Sequence, residues 1–198
     1  MPEPIGIMLL CAGRGSRFGP EPKLLSLFDG KPLVRHAAET AIESGLGPVI
    51  AVLGAEIPPI RDTLDGLALD IVQNPLHADG LSTSLRVGLE ALRADIAGVI
   101  VMLGDMPRIR PNHLHGLAAA FRAADPQPAA VVPVHAGRRG NPVLLNRVLL
   151  ATALARLSGD RGAGPLIVGR DDVMEIAMDE AVRQDVDTPA ALEDLARR

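Results

Sequence analysis

At 198 residues, with 47% hydrophobic and 22% charged side chains, the chain has room for one large core and does not have the composition of a disordered protein. Three Phe, no Tyr and no Trp leave no aromatic platform for RNA or single strands, and a net charge of −4 without a basic tail weighs against nucleic acid as a partner. One cysteine excludes an intrachain disulfide or a cysteine-cluster zinc site, no apolar run nears the ~18 residues of a membrane span, and Met1-Pro2-Glu3-Pro4 lacks the basic start of a signal peptide, so a cytoplasmic location is expected.

In chain order, Ile5 to Leu10 is a continuous apolar run of strand length, and residues 12–23, rich in Gly, Pro and charge, form a loop. Pro32 opens a helix to about Ser44, with Gly45 just beyond it. Val49 to Leu53 predicts a second strand, Pro58-Pro59 a helix start, Gly66 its end, and Leu69 to Val72 a short strand. A loop runs from Asn74-Pro75 to Ser82, and residues 83–94 read as a helix with Leu85, Leu89 and Leu92 on one stripe. Val99 to Leu103 predicts a third strong strand, and Pro111 starts a helix to about Ala124. Ala129 to Val134 and Pro142 to Leu145 flank Ala136-Gly137-Arg138-Arg139-Gly140 as a hairpin, followed by a helix of about ten residues. Val173 to Met178 and Val182 to Val186 are weaker strands, and Thr188 caps a last helix begun by Pro189. The alternation predicts a mainly parallel sheet with helices on both faces, in a single domain over residues 1–198.

Ligands of such sheets gather at the carboxyl ends of the strands. After the first strand, Ala12-Gly13-Arg14-Gly15-Ser16-Arg17-Phe18-Gly19-Pro20-Glu21-Pro22-Lys23 combines glycines, which let backbone N–H groups approach phosphate oxygens, with three cations against one acid. A triphosphate suits this loop; a surface loop with scattered charges is the plainer reading. Lys23 stands out because 18 of the 20 cationic residues are Arg. The third glycine comes one residue late for a dinucleotide fingerprint, and Gly30-Lys31 is followed by Pro32 rather than the Ser or Thr of an ATPase phosphate loop. In Leu103-Gly104-Asp105-Met106-Pro107 the carboxylate at a strand tip is a hard-oxygen ligand suited to Mg²⁺, or else a backbone cap. In Asp185-Val186-Asp187-Thr188-Pro189, Asp185 and Asp187 share one face of the expected strand, and either can be a second metal ligand, Asp187 lying nearer its end. The five histidines are scattered, and Cys11 ends a buried strand as inert packing.

Together these segments resemble the nucleotidyltransferase family of molybdenum cofactor biosynthesis, the MobA-like NTP transferases. Leu10-Cys11-Ala12-Gly13-Arg14-Gly15-Ser16-Arg17-Phe18-Gly19 with Lys23 is similar to the family's L-A-A-G-x-G-x-R-M-G-x-x-K signature, and Gly104-Asp105-Met106-Pro107 to its metal loop. Gly140-Asn141-Pro142, Gly159-Asp160-Arg161-Gly162-Ala163 and Asp185-Val186-Asp187-Thr188-Pro189 resemble further family elements, in family order and over nearly the whole chain. Cys11 and Phe18 replace the usual Ala and Met, and one extra residue precedes Lys23. Ala12-Gly13 in place of Gly-Gly, Gly-Asn-Pro, Asp187-Thr188-Pro189 and the loop Asn74-Pro75, Gly80, Ser82-x-Ser84-Leu85-Arg86 resemble the cytidylyltransferase branch more than the guanylyltransferase branch.

The resemblance implies a three-layer, mostly parallel, Rossmann-like nucleotidyltransferase fold of the GT-A type. It also implies Mg²⁺-dependent transfer of CMP from CTP (or GMP from GTP) to a phosphate-bearing acceptor, molybdopterin cofactor being the first candidate. Asp105 and Asp187 would hold the metal. Arg17 and Lys23 would stabilise charge on the α-phosphate and leaving group. Cys11, Ala12, Gly13, Arg14, Gly15 and Ser16, with Asn74, Gly80 and Ser84, would bind the nucleotide, and Arg138, Arg139 and Asn141 the acceptor. Two other readings stay open: a non-catalytic module that hands a cofactor to an apo-molybdoenzyme, and an oxidoreductase holding a dinucleotide in the glycine loop.

Overall fold

The structure is a computed structural model that describes residues 4–13, 18, 22–54, 57–159 and 162–197. The calls on Arg14, Gly15, Ser16, Arg17, Asp160 and Arg161 lie outside those residues.

The first apolar run forms β1 (Ile5–Cys11), all seven of whose residues are buried, as a strand with neighbours on both edges and helices on both faces must be. A small hairpin follows, β2 (Leu27–Phe28) and β3 (Lys31–Pro32). Then come α1 (Leu33–Glu43), β4 (Val49–Leu53), α2 (Ile57–Leu64), β5 (Asp70–Gln73), α3 (Leu81–Ala91), β6 (Gly98–Leu103) and α4 (Pro111–Ala123). The chain continues through β7 (Ala130–His135), β8 (Arg138–Arg139), β9 (Val143–Asn146), α5 (Ala151–Ala155), α6 (Gly164–Ile167), β10 (Val173–Ala177) and α7 (Pro189–Ala196).

The main sheet runs β10-β7-β9-β6-β1-β4-β5, with β8 paired to the outer end of β7. β6, β1, β4 and β5 are parallel neighbours, β10 is parallel to β7, and β9 lies antiparallel between β6 and β7. Alternate strand residues feed two cores. Ile5, Ile7 and Leu9 pack with α1, α2 and α4 on one face; Met8 and Leu10 pack with α3, α5 and α6 on the other. This is the three-layer, mostly parallel α/β architecture expected. Strand order reverses at β1, with β4 on one side and β6 on the other, so the loops leaving β1 and β6 diverge and open a crevice at their carboxyl ends.

Several elements differ from expectation. α3 starts at Leu81, not 83, because Gly80, at φ +113°, turns the chain into it, and it stops at Ala91, where Leu92 is already extended. The expected ten-residue helix after β9 is two short helices, α5 and α6, separated by Gly159 and Gly162 at positive φ. The hairpin closes through the two-residue turn Ala136-Gly137, which pairs Val134 with Arg139, while β9 returns deeper along β7. The expected strand over Val182 to Val186 is absent: Glu180–Arg183 is a 3₁₀ turn, and the segment after it is extended but joins no ladder. Its main chain bonds to loops instead, Asn141 N–H donating to Val182 O and Val186 N–H to Asp105 O.

Candidate active site

The crevice is built from three stretches far apart in sequence. Asp105 stands two residues beyond β6, and Gly104 keeps that loop against the end of β1: its N–H donates to Leu10 O, and a Cβ there would press on Cys11 Sγ and Leu24. Lys23 opens a 3₁₀ turn, Lys23–Leu25, whose Leu24 is buried in the core. Asp187 comes from the extended segment before α7. Val186 beside it packs with Phe28, Leu33 and Leu195, so the β2–β3 hairpin and α7 fix where Asp187 lies. On either side of buried Val186, Asp185 is exposed and Asp187 half-buried.

Lys23 Nζ donates to Asp105 Oδ2 at 2.6 Å and to Asp187 Oδ1 at 3.2 Å. The pair is largely shielded, with Lys23 and Asp105 side chains 13% and 14% exposed. Burial works against the Lys23 ammonium, but Asp105 and Asp187 outweigh it and hold its pKa above the usual lysine value. Burial pushes the Asp105 carboxyl above the ordinary range against the opposing pull of Lys23, and the charge of Asp185 adds to the push. Asp105 Oδ1 is buried with no hydrogen-bond partner among the described residues. A buried carboxylate oxygen without a partner is costly unless something cationic or a donor reaches it, so the pair Asp105 and Asp187 fits a divalent cation. Among the described residues no group of three or more His, Cys, Asp or Glu is placed to hold a metal, so such an ion would take its remaining ligands from phosphates and water.

Gly13, two residues beyond β1, is exposed, and a Cβ there would meet nothing within 4 Å among the described residues. Cys11 is 1% exposed, and burial, then the charge of Asp105, pushes its thiol far up; it stays protonated and can offer a ligand only its main chain. Ala12 is 5% exposed and sits against Gly54, where a Cβ would stand 2.8 Å from that of Ala12 and 2.5 Å from that of His77. The ends of β1 and β4 and the loop after β5 therefore meet at one point.

Asn74 and Ser84 do not face open space. Asn74 is fully buried; its Nδ2 donates to Thr83 Oγ1 and Ser84 Oγ, and its Oδ1 accepts from Leu76 N–H. They brace the loop 74–84, with Gly80 as its turning point. Thr83, which no motif marks, clasps the loop: its hydroxyl lies within hydrogen-bond distance of both Gly80 O and Leu76 O. Gln184, equally unmarked, has a buried Oε1 without a partner among the described residues. Arg138 and Arg139 are exposed, Arg139 Nε donating to Glu175 Oε1 at 2.7 Å, and Asn141 lies beside Val182. The histidines serve as structural bonds; His113, for example, accepts from Arg110 N–H and meets Asp179.

A mostly parallel sheet with a cation and two carboxylates converging at its switch point defines an α/β protein with a polar ligand site there. Residues 7–173 match the MobA-like NTP transferase domain, and the chain belongs to that family; its class is nucleotidyltransferase. A nicotine blue oxidoreductase from Paenarthrobacter nicotinovorans is 29% identical over 186 residues, 91% of each chain. A bifunctional protein GlmU from Clavibacter sepedonicus is 29% identical over 179 residues, covering 89% of this chain but 32% of its own length. The crystal structure of Rv0371c from Mycobacterium tuberculosis H37Rv superposes with a TM-score of 0.87 at 29% identity over all of both chains. Its complex with manganese superposes with a TM-score of 0.80 over 98% of each. No helix among the described residues is long and apolar enough to cross a membrane.

Proposed function

We propose that the chain transfers CMP from CTP, with Mg²⁺, to a phosphate-bearing small molecule, molybdopterin cofactor being the first candidate, and releases pyrophosphate. The observation that carries this reading is the convergence of Lys23, Asp105 and Asp187 at the switch point. An oxygen of the acceptor phosphate attacks the α-phosphorus in line, and the bond from that phosphorus to the pyrophosphate oxygen breaks. Such a transfer needs positioning and charge neutralisation more than covalent help. Asp105 and Asp187 would hold the divalent cation, which would supply neutralisation of the phosphate oxygens. Lys23 turns from the carboxylates to the leaving group, joined by Arg17, while Gly13, Arg14, Gly15 and Ser16 line the triphosphate. The loop 74–84, braced by Asn74 and Ser84, presents its main chain to the base, and Arg138, Arg139 and Asn141 border the acceptor. The manganese complex of Rv0371c supports a divalent ion in this fold.

The test is pyrophosphate release from CTP and GTP, with and without Mg²⁺ and molybdopterin cofactor. Release faster with CTP and dependent on metal and acceptor is expected. Faster release with GTP moves the chain to guanylyl transfer, and tight CTP binding without release makes it a carrier that delivers a cofactor to an apo-enzyme. A second reading rests on the nicotine blue oxidoreductase, which matches this chain over nearly its whole length. NADPH oxidation and NADPH binding, measured on the same preparation, decide it.

A further inference from the structure

Between α3 and α5 lies a groove of about 380 Å³, lined by the buried Leu89 and Leu154 and the exposed Ala151 and Ala155. The turn after β9 borders it at the amino end of β6, where Arg147 N–H donates to Ala97 O, the opposite end of that strand from Asp105. The Arg147 side chain is spent on closing α3, donating to Leu89 O at 2.9 Å and Arg93 O at 2.7 Å. Arg86 and Glu90, one turn apart on α3, are both exposed on the groove, and neither side chain makes an ion pair among the described residues. Next to Arg147 stand Val148 and Leu149, 71% and 53% exposed, two of the five large hydrophobic side chains exposed among the described residues. Apolar side chains bared together on a soluble fold mark a contact surface. A partner of one charge sign would strip water from either Arg86 or Glu90 without pairing it. A second copy whose α3 runs antiparallel pairs both, Arg86 of each copy with Glu90 of the other, because a two-fold axis repeats every contact. The same arrangement carries the turn of each copy, held at the C-terminal end of its own α3, toward the Arg86 end of the other, where Val148 and Leu149 leave water for the groove.

We infer that this face is a homodimer interface, built on a two-fold antiparallel pairing of α3 and sealed by Val148 and Leu149. It leaves the carboxylate crevice open at the other end of β6, and it stands whether or not the chain transfers nucleotides.

The experiment is sedimentation equilibrium on the full chain over about 1 to 200 μM, with Arg86→Glu, Glu90→Arg and Val148→Asp beside the wild type. The wild type is expected to dimerise within that range. Each charge reversal sets like charges opposite each other twice across the two-fold axis, so each variant alone should dimerise at least about tenfold more weakly. An equimolar mixture of Arg86→Glu with Glu90→Arg restores opposite charges at both contacts and should dimerise as tightly as the wild type. Mixing cannot undo an effect internal to one helix, so recovery reports a contact between chains. Val148→Asp buries a charge in the contact and should weaken it by about tenfold or more. A wild type that stays monomeric throughout, a dimer that neither the reversals nor Val148→Asp weaken, or a mixture no tighter than its two components overturns the inference. Should a reversal fail to fold, Val148→Asp against the wild type decides the matter.

Discussion

At Asp105 two demands meet: the carboxylate must be ionised to hold a cation, and its burial makes ionisation costly. The amide of Asp105→Asn keeps the shape and resembles the neutral form that burial favours. Turnover is therefore expected to fall on the order of 100-fold or more, while the chain still folds, relief of the buried carboxylate offsetting part of what Lys23 loses with its partner. A variant with wild-type turnover and metal dependence removes Asp105 from the site. Lys23 sets a related balance. Its ammonium already satisfies Asp105 Oδ2 and Asp187 Oδ1, so a divalent ion arriving without nucleotide competes with it. Lys23→Met removes that competitor, worth about 1.5–3 kcal/mol for a hydrogen bond to a charged group. Calorimetry with Mn²⁺ alone should show binding about 10- to 100-fold tighter than wild type, while pyrophosphate release is lost. Unchanged Mn²⁺ affinity would mean the lysine does not guard the carboxylates.

The hairpin β2–β3 shows how an element remote from the chemistry positions a ligand. Its turn, Asp29-Gly30, has φ of 48° and 76°, the geometry Asp-Gly favours in a tight hairpin, and Phe28 packs on Val186 beside Asp187. Lys31, from β3, and Arg35, from α1, both pair with Glu39. The Lys31 ammonium, with help from Arg35, holds the Glu39 carboxyl below the ordinary glutamate range. A lowered pKa in the folded state adds stability above the unfolded value and loses it as pH falls through the folded one. Glu39→Gln should thus lower Tm by about 1–4 °C near neutral pH, and the gap should close below about pH 4. A gap constant from pH 3 to 7 would show that charge is not its source. The Asp-Gly signal for this hairpin stood in the sequence, but two-residue strands are too short for periodicity to show. The Val182 to Val186 segment misled for the opposite reason. Its two valines are both buried, yet buried valines at the ends of a short run report packing and not a ladder partner, and here the bonds go to Asp105 and Asn141.

Across the whole molecule, the parallel core was legible because each central strand is a short, unbroken aliphatic run between turn signals. The pairing of Lys23 with Asp105 and Asp187 was not, since those residues lie 82 and 164 positions apart and only the topology brings them together. The fold class limited the possibilities to loops at one sheet edge, and motif resemblance chose among them. Asn74, picked by motif, shows what only the structure adds, because its carboxamide is buried and bonded to Thr83 and Ser84 within its own loop. The same long separations give a prediction for the molecule as a unit. A ligand that bridges the loop after β1, the loop after β6 and the segment before α7 ties the two ends of the chain to its middle, so partial opening at any of the three releases it. Binding should then stabilise global unfolding and not a local step. At 100 times Kd, MgCTP adds about 2.7 kcal/mol, or roughly 5–10 °C in Tm for a chain of this size. The unfolding transition should remain single and move as one in calorimetry. Chelation of the metal should return the Tm to that of the chain with CTP alone, and Asp105→Asn should show no rise with MgCTP beyond its rise with CTP alone. An upward shift that survives both would place CTP away from the carboxylates, and a transition that splits in two would show that the three stretches do not act as one site.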